Sequence, residues 1–195
     1  MIAGLILAAG ESSRMGTAKA TLTYRGRTFL ETIVQTLGEA GIERIVVVLG
    51  HRAEDTQREV KIEPAQVVLN LDYRSGQTSS LQVGLRALIA DNPDAVLLCL
   101  VDHPAVGAET VRKLAATFRQ YGAPVVIPTY QGRRGHPVLI GRQVFPELLE
   151  LASDAGADSV VRKHRPATQF VEVDDEGVVT DVDDPESYRR LTSKQ

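Results

Sequence analysis

The sequence has few aromatic residues and almost no cysteine. Tryptophan is absent, aromatic residues make up 5% of the 195 residues, and Cys99 is the single cysteine. One cysteine cannot form an intramolecular disulfide, so the cysteine content does not indicate an oxidising compartment. Cys99 lies within an apolar run at residues 95–100. We therefore expect a buried, unreactive thiol.

Long apolar stretches and an excess of basic residues are also missing. The apolar run at residues 2–8 is too short to span a membrane, and no basic segment precedes it as in a signal peptide. The formal net charge is −3, whereas proteins that bind nucleic acid usually carry a basic face. We therefore expect a soluble cytoplasmic protein without a membrane or nucleic-acid partner.

Hydrophobic residues make up 43% of the chain, which is enough for a core in one domain covering residues 1–195. Short apolar runs, typical of buried strands, alternate with amphipathic segments, typical of helices. The predicted strands are 2–8, 44–49, 66–70, 95–100, 125–127 and 137–140. The predicted helices are 29–40, 53–61, 79–90, 109–121, 144–151 and 185–191. Residues 11–27 are predicted to form a long loop, and residues 169–173 and 178–182 a β-hairpin.

This alternation predicts an α/β fold. We expect a three-layer α/β/α sandwich with a mostly parallel, Rossmann-like sheet and an antiparallel element in the second half. Ligands of such sheets bind beyond the carboxyl ends of the strands. Three polar segments follow predicted strands, at residues 9–19, 101–104 and 181–185. We expect these segments to share one site.

The first of these segments has a composition that suits phosphate binding. Ala8, Ala9 and Gly10 are small enough to let a ligand approach the backbone, and Arg14 and Lys19 supply two cations for a polyphosphate. The glycine spacing matches neither the P-loop pattern nor the dinucleotide-binding pattern. From composition alone, a nucleotide-binding loop and a solvated loop with two exposed cations both remain open.

Two acidic segments supply candidate metal ligands. Asp102 follows the most apolar predicted strand, and Asp183 lies in the third polar segment. Mg²⁺ takes one or two carboxylates together with phosphate oxygens and water, which suits phosphoryl chemistry. Capping is the alternative, because Asp102 could cap a turn before Pro104. Asp184 is predicted to be the N-cap of a helix that begins at Pro185.

The string LAAGESSRMGTAK at residues 7–19 resembles the signature loop of the MobA-like nucleotidyltransferases, most closely of the molybdenum cofactor cytidylyltransferases. Further matching motifs extend the resemblance to residue 188. The resemblance implies a nucleotide-diphospho-sugar transferase-like fold. It also implies Mg²⁺-dependent transfer of a nucleotidyl group, with CTP favoured by Ala8-Ala9-Gly10, to a phosphorylated acceptor such as molybdopterin. A recipient molybdoenzyme or a chaperone would then be the protein partner.

The resemblance also assigns roles to individual residues. The residues expected to bind the nucleotide are Leu7, Ala8, Ala9, Gly10, Arg14, Lys19, Asn70, Ser79 and Ser80. Arg14, Lys19 and Asp102 are expected to be catalytic, and Asp102 and Asp183 to bind Mg²⁺. The residues expected to contact the acceptor are His103, Gly135, His136 and Pro137. By their residue types alone, Ser79 and Ser80 could instead cap a helix, and His136 could be structural.

Three residues depart from the family pattern. His103 stands where glutamine is common, Gln77 where methionine is common, and Asp158 takes the place of an arginine in the motif at residues 154–158. If that arginine holds the acceptor phosphate, Asp158 removes the contact. The alternatives are therefore a different acceptor such as a sugar 1-phosphate, a glycosyltransferase that uses Asp181 and Asp183, and a nucleotide sensor without catalysis.

Overall fold

The computed structural model describes residues 1–152 and 155–193, and Asp154 of the predicted 154–158 motif lies outside them. The strands are β1 (Ile2–Ala8), β2 (Thr23–Tyr24), β3 (Arg27–Thr28), β4 (Ile45–Leu49), β5 (Gln66–Leu69), β6 (Ala95–Leu100), β7 (Val125–Tyr130), β8 (Arg133–Arg134), β9 (Val138–Gly141) and β10 (Gln169–Glu172). The helices are α1 (Phe29–Glu39), α2 (Ala53–Glu59), α3 (Gln77–Ile89), α4 (Ala108–Tyr121), α5 (Phe145–Leu149), α6 (Asp158–Lys163) and α7 (Pro185–Ser193). None of these described helices is long and apolar enough to cross a membrane.

Eight of the described strands form one sheet with β1 near its centre. The order is β10-β7-β9-β6-β1-β4-β5, and β8 pairs with β7. β1 runs parallel to β4 and β6, β5 runs parallel to β4, and β10 runs parallel to β7. β9 is antiparallel to both of its neighbours, β6 and β7. The predicted α/β fold with a mostly parallel sheet and an antiparallel element is confirmed.

Helices cover both faces of the sheet because successive side chains of a strand point to opposite sides. Ile2 and Ile6 of β1 belong to the core cluster that α1 and α4 cover, whereas Leu5 and Leu7 pack with α3 and α5. A Cβ on Gly84 of α3 would lie 2.2 Å from Leu5 Cδ1, so this glycine permits the close packing of α3 on β1. The predicted three-layer sandwich is present.

Cys99 lies in β6 and is 6% exposed. Burial raises the pKa of its thiol to about 12, so the thiol stays protonated at neutral pH. The prediction of a buried cysteine is confirmed, and a buried, protonated thiol is expected to be unreactive.

The predicted hairpin at residues 169–173 and 178–182 is wrong. Glu176–Val179 is a 3₁₀ helix, and β10 pairs in parallel with β7 rather than with the residues that follow it. The side chain of Asp175 accepts hydrogen bonds from Gly107 N, Thr110 Oγ1 and Gly177 N, which fasten this turn to the start of α4. These tertiary contacts outweigh the local turn signal of Glu176 and Gly177.

The helix and loop boundaries also refine the predictions. Asp184 caps α7 as predicted, because its Oδ1 accepts a hydrogen bond from Ser187 N at 2.7 Å. α3 begins at Gln77, so Ser79 and Ser80 lie inside its first turn and do not cap it. The predicted long loop at residues 11–27 contains the 3₁₀ helix Lys19–Thr21 and the strand β2, because this stretch folds back onto β3 and α1.

Candidate functional site

The three polar segments that were predicted to converge do meet, at the carboxyl ends of β1 and β6. A cavity of about 360 Å³ opens at this edge of the sheet. Its lining residues come from the ends of β1 and β6, from the segments that follow β1, β4, β5 and β6, from α2 and the start of α3, and from the segment before α7: Leu7, Ala8, Ala9, Gly10, Ser12, Ser13, Arg14, Ala18, Lys19, Ala20, His51, Thr56, Tyr73, Gly76, Gln77, Ser80, Leu100, Val101, Asp102 and Asp183.

Lys19 joins two carboxylates that are distant in sequence. Its Nζ lies 3.2 Å from Oδ2 of Asp102 and 2.6 Å from Oδ1 of Asp183, and its side chain is 12% exposed. Arg14 donates from Nη2 to Oδ2 of Asp183 at 2.7 Å. Hydrogen bonding to Lys19 is the largest cause that holds the pKa of Asp183 below its ordinary value, and Arg14 adds to it against the opposing effect of burial. We call these four residues the charged cluster.

Local hydrogen bonds place the members of the charged cluster. The Oγ atom of Ser12 accepts a hydrogen bond from Lys19 N at 3.2 Å and so closes the loop after β1. Val182 N donates to Asp102 O at 2.9 Å, which sets the segment before α7 beside the end of β6. Ser187 Oγ then accepts from Asp183 N at 3.0 Å. The backbone at each end of the cluster is therefore fixed.

One oxygen of Asp102 lacks a hydrogen-bond partner within the described residues. Oδ1 is buried, while Oδ2 faces Lys19. Nε2 of His103 is 3.9 Å from Oδ1, which is too long for a hydrogen bond. Buried carboxylate oxygens are normally satisfied by a donor or a cation. Two carboxylates, one with an unsatisfied oxygen, beside a cavity lined by cations fit a divalent ion bound together with phosphate oxygens.

Seven of the nine residues predicted to bind the nucleotide line the cavity. Asn70 and Ser79 are outside it: Asn70 is buried, and its Nδ2 donates to the Oγ atoms of Ser79 and Ser80 at 2.9 Å each. These bonds tie the end of β5 to the first turn of α3. A direct contact of Asn70 or Ser79 with nucleotide stays a prediction.

The four residues predicted to contact the acceptor do not line the 360 Å³ cavity. The rings of His103 and His136 are 5.1 Å apart, and both residues border a second, small and mostly apolar cavity together with Pro137. Gly135 is packed so tightly that a Cβ would lie 2.2 Å from Val178 O. Their contact with an acceptor stays a prediction.

The other departures from the family pattern occupy different surroundings. Gln77 is the first residue of α3 and lines the cavity. Asp158 begins α6 and forms an ion pair with Arg162 at 2.7 Å, where both side chains are exposed. Gln77 is therefore placed to affect the cavity itself, whereas Asp158 is placed at the surface.

Sequence reasoning missed His51 and Tyr73, which line the cavity near Ala9. His51 N donates to Ala9 O at 3.0 Å, and Nδ1 of His51 lies 3.3 Å from the hydroxyl of Tyr73. A Cβ on Gly50 would lie 2.7 Å from Cβ of Tyr73, so the glycine makes room for this contact. A signal was available, because Gly50 and His51 directly follow a predicted parallel strand.

We expect the buried His136 to make folding stability depend on pH. Burial, followed by repulsion from His103, lowers the pKa of His136 from 6.5 to about 4. As the pH falls from about 6.5 to about 4, the unfolded chain binds this proton before the folded chain does. The His136 contribution is therefore fully present above pH 6.5, and about 3 kcal/mol is lost by pH 4. Urea unfolding of His136→Gln should show a flatter stability profile between pH 4.5 and 6.5. A slope equal to that of the wild type would contradict this assignment.

The fold and the charged cluster define a class of protein, an α/β nucleotidyltransferase. Residues 4–168 match the family model of the MobA-like NTP transferase domain. The chain therefore belongs to the MobA-like NTP transferase family, and the resemblance seen in its first loop is confirmed.

Individual relatives cover almost the whole chain. Nicotine blue oxidoreductase of Paenarthrobacter nicotinovorans is 33% identical over 97% of this chain and 96% of its own length. Molybdenum cofactor cytidylyltransferase of Escherichia coli K12 is 25% identical over 98% and 94%. Among solved structures, Rv0371c from Mycobacterium tuberculosis H37Rv has a TM-score of 0.88 at 32% identity, covering 98% of this chain and 97% of that chain. A structure of Rv0371C in complex with manganese has a TM-score of 0.83 at 28% identity, covering 100% and 99%.

Proposed function

We propose that this protein transfers a cytidylyl group from CTP to the phosphate of a molybdopterin-type acceptor, with Mg²⁺, and releases pyrophosphate. Membership of the family indicates that the substrate is a nucleoside triphosphate. The identities of the base, the acceptor and the metal are our proposal. The observation that carries the proposal is the charged cluster. Its two cations and two carboxylates line the same cavity as Ala8, Ala9 and Gly10.

The reaction is an in-line displacement. An oxygen of the acceptor phosphate attacks the α-phosphorus of CTP and forms the new P–O bond. The bond from the α-phosphorus to the α,β-bridging oxygen breaks, and its electron pair leaves with pyrophosphate. A phosphate monoester has a second pKa of about 6, so the attacking oxygen is largely ionised at neutral pH without a protein base. The protein contributes alignment and charge neutralisation.

The residues of the charged cluster divide this work. Arg14 and Lys19 would donate to triphosphate oxygens and neutralise the charge that develops on pyrophosphate. Asp102 and Asp183 would hold Mg²⁺, whose chemistry when bound is to polarise the α-phosphate. Within residues 1–152 and 155–193, no three His, Cys, Asp or Glu side chains gather as a metal site of their own. Phosphate oxygens and water would then complete the coordination, which suits Mg²⁺. The manganese complex of Rv0371C supports a divalent ion in this fold.

The choice of base and acceptor rests on similarity. Ala8-Ala9-Gly10 resembles the cytidylyl form of the loop, and the E. coli molybdenum cofactor cytidylyltransferase aligns with 98% of this chain. A molybdopterin acceptor would in turn make a molybdoenzyme or its chaperone the recipient of the product.

An oxidoreductase is the second candidate, because the nicotine blue oxidoreductase shares more identity with this chain than the cytidylyltransferase does, 33% against 25%. The charged cluster favours nucleotidyl transfer. Transfer of a nucleotidyl group requires cations around the triphosphate, whereas an oxidoreductase reaction has no evident need of two carboxylates bridged by a lysine.

Pyrophosphate release tests the proposal. The protein is incubated with Mg²⁺ and molybdopterin, and CTP, GTP, ATP and UTP are compared with and without the acceptor. We expect acceptor-dependent release with CTP. Release with GTP instead would overturn the base, and release with a sugar 1-phosphate but not molybdopterin would overturn the acceptor. Conversion of nicotine blue without any pyrophosphate release would overturn nucleotidyl transfer itself.

A further inference from the structure

A single ammonium group fills the space between the two candidate metal ligands. Nζ of Lys19 is within 3.2 Å of an oxygen of Asp102 and within 2.6 Å of an oxygen of Asp183. A magnesium ion bound by both carboxylates would lie about 2.1 Å from its oxygens, in the same space. The ammonium group and the metal cannot occupy that space together.

Charge balance adds to this competition. Arg14 and Lys19 carry two positive charges against the two negative charges of Asp102 and Asp183. The side chain of Lys19 is 12% exposed, and these two aspartates are its ion-pair partners within the described residues. A metal that arrives alone must displace an ammonium group that has no other anion to pair with. Leaving a largely buried charge unpaired is costly, so the displacement opposes metal binding.

A triphosphate changes this balance because it brings new anionic partners. Arg14 and Lys19 both line the cavity, where phosphate oxygens would come within reach of their donors. Once Lys19 turns to the triphosphate, the oxygens of Asp102 and Asp183 that it held are free to bind a cation.

We propose that Lys19 acts as an internal stand-in for the divalent ion in the nucleotide-free protein, so that the metal enters together with the nucleotide. This inference rests on the proposed function, because it takes Asp102 and Asp183 as metal ligands. By thermodynamic linkage, the nucleotide and the metal each raise the affinity of the protein for the other. Lys19 thereby couples the binding of the metal to the binding of the nucleotide.

Arg14 offers a matched control. It carries the same charge as Lys19 and pairs with Asp183, but it makes no ion pair with Asp102 and does not bridge the carboxylates. If Lys19 opposed the metal through its positive charge alone, Arg14 would oppose it to a similar degree. If Lys19 opposes the metal by occupying its position, removal of Lys19 has the larger effect.

The test is the affinity of Mn²⁺ for the nucleotide-free protein, measured from the electron paramagnetic resonance signal of unbound Mn²⁺. The variants are Lys19→Met and Arg14→Met, with Lys19→Gln as a second replacement in case the methionine variant folds poorly. We expect both Lys19 variants to bind Mn²⁺ about tenfold more tightly than the wild type, within the usual range of coupling between sites, and Arg14→Met to gain clearly less. For the wild type, an unreactive CTP analogue should tighten Mn²⁺ binding by a similar factor or more.

Two results would overturn the inference and leave the proposed function standing. One is equal gains in the Lys19 and Arg14 variants, which would show an effect of charge alone. The other is unchanged Mn²⁺ affinity in both Lys19 variants. A failure of the proposed function looks different, because pyrophosphate release would be absent while the Mn²⁺ affinities still follow the expected order. Absence of Mn²⁺ binding in every variant, with or without the analogue, would overturn both.

Discussion

The Asp102→Asn variant should lose about 10³-fold or more in acceptor-dependent turnover. The substitution keeps the shape of the side chain and removes its negative charge. One oxygen of Asp102 is buried and unpartnered and the other is paired with Lys19, so this carboxylate can bind a divalent ion once Lys19 turns to the triphosphate. An asparagine amide would present hydrogen-bond donors to these cations in one of its two orientations. The measurement is kcat/KM for pyrophosphate release at saturating Mg²⁺.

Asp184→Asn is the matched control for this variant. Asp184 follows Asp183 directly, but its carboxylate caps α7 through Ser187 N instead of joining the charged cluster. Asparagine is as good an N-cap as aspartate, so both turnover and stability should stay close to those of the wild type. Turnover of Asp102→Asn within tenfold of the wild type would show that Asp102 is not a metal ligand in the reaction.

Lys19→Ala is expected to cost on the order of 10²-fold or more in turnover. The variant removes the cation that is placed to stabilise the leaving pyrophosphate. The same replacement takes away the group that competes with the metal. Turnover should therefore fall even though the free protein gains affinity for Mn²⁺. Measurement of kcat and of Mn²⁺ affinity on one preparation reports both effects.

Arg25 lies, like Lys19, in the segment between β1 and α1, and Arg25→Ala is the control for the loss of a cation from that segment. Arg25 lies over the ring of Tyr24 at 5.1 Å and makes no ion pair with Asp102 or Asp183. Its removal should leave turnover unchanged. Turnover of Lys19→Ala equal to that of the wild type would remove Lys19 from the mechanism.

The central strands of the sheet could be predicted because they are short, continuous apolar runs. β1, β4 and β6 are covered by helices on both faces, so their sequences are apolar throughout and stand out from the chain. Their parallel direction brings the residues that follow them to one edge, which is why Lys19 and Asp102 could be predicted to meet. Asp183 was expected there because a strand was predicted before it, but that strand is absent from residues 178–182 as the structure describes them, and the hydrogen bond from Val182 N to Asp102 O sets the segment of Asp183 beside β6.

What could not be predicted depends on tertiary contacts. The Glu-Gly pair at residues 176–177 predicts a hairpin of residues 169–173 and 178–182, whereas the contacts of Asp175 with the start of α4 decide the path of the chain after β10. The pairing of His51 with Tyr73 joins residues from two different loops, and no local pattern reports it. The bridging position of Lys19 likewise depends on side-chain geometry, although its presence in the site was predicted.

The fates of the α- and γ-phosphorus atoms of CTP test the central claim most directly. The protein is incubated with Mg²⁺, molybdopterin and CTP that is labelled with ³²P at either the α or the γ position. We predict that the α label becomes covalently bound to the acceptor in the wild type and not in Asp102→Asn, while the γ label is recovered in pyrophosphate. Transfer of the γ label to the acceptor, or conversion of the acceptor with CTP left intact, would contradict nucleotidyl transfer at this site.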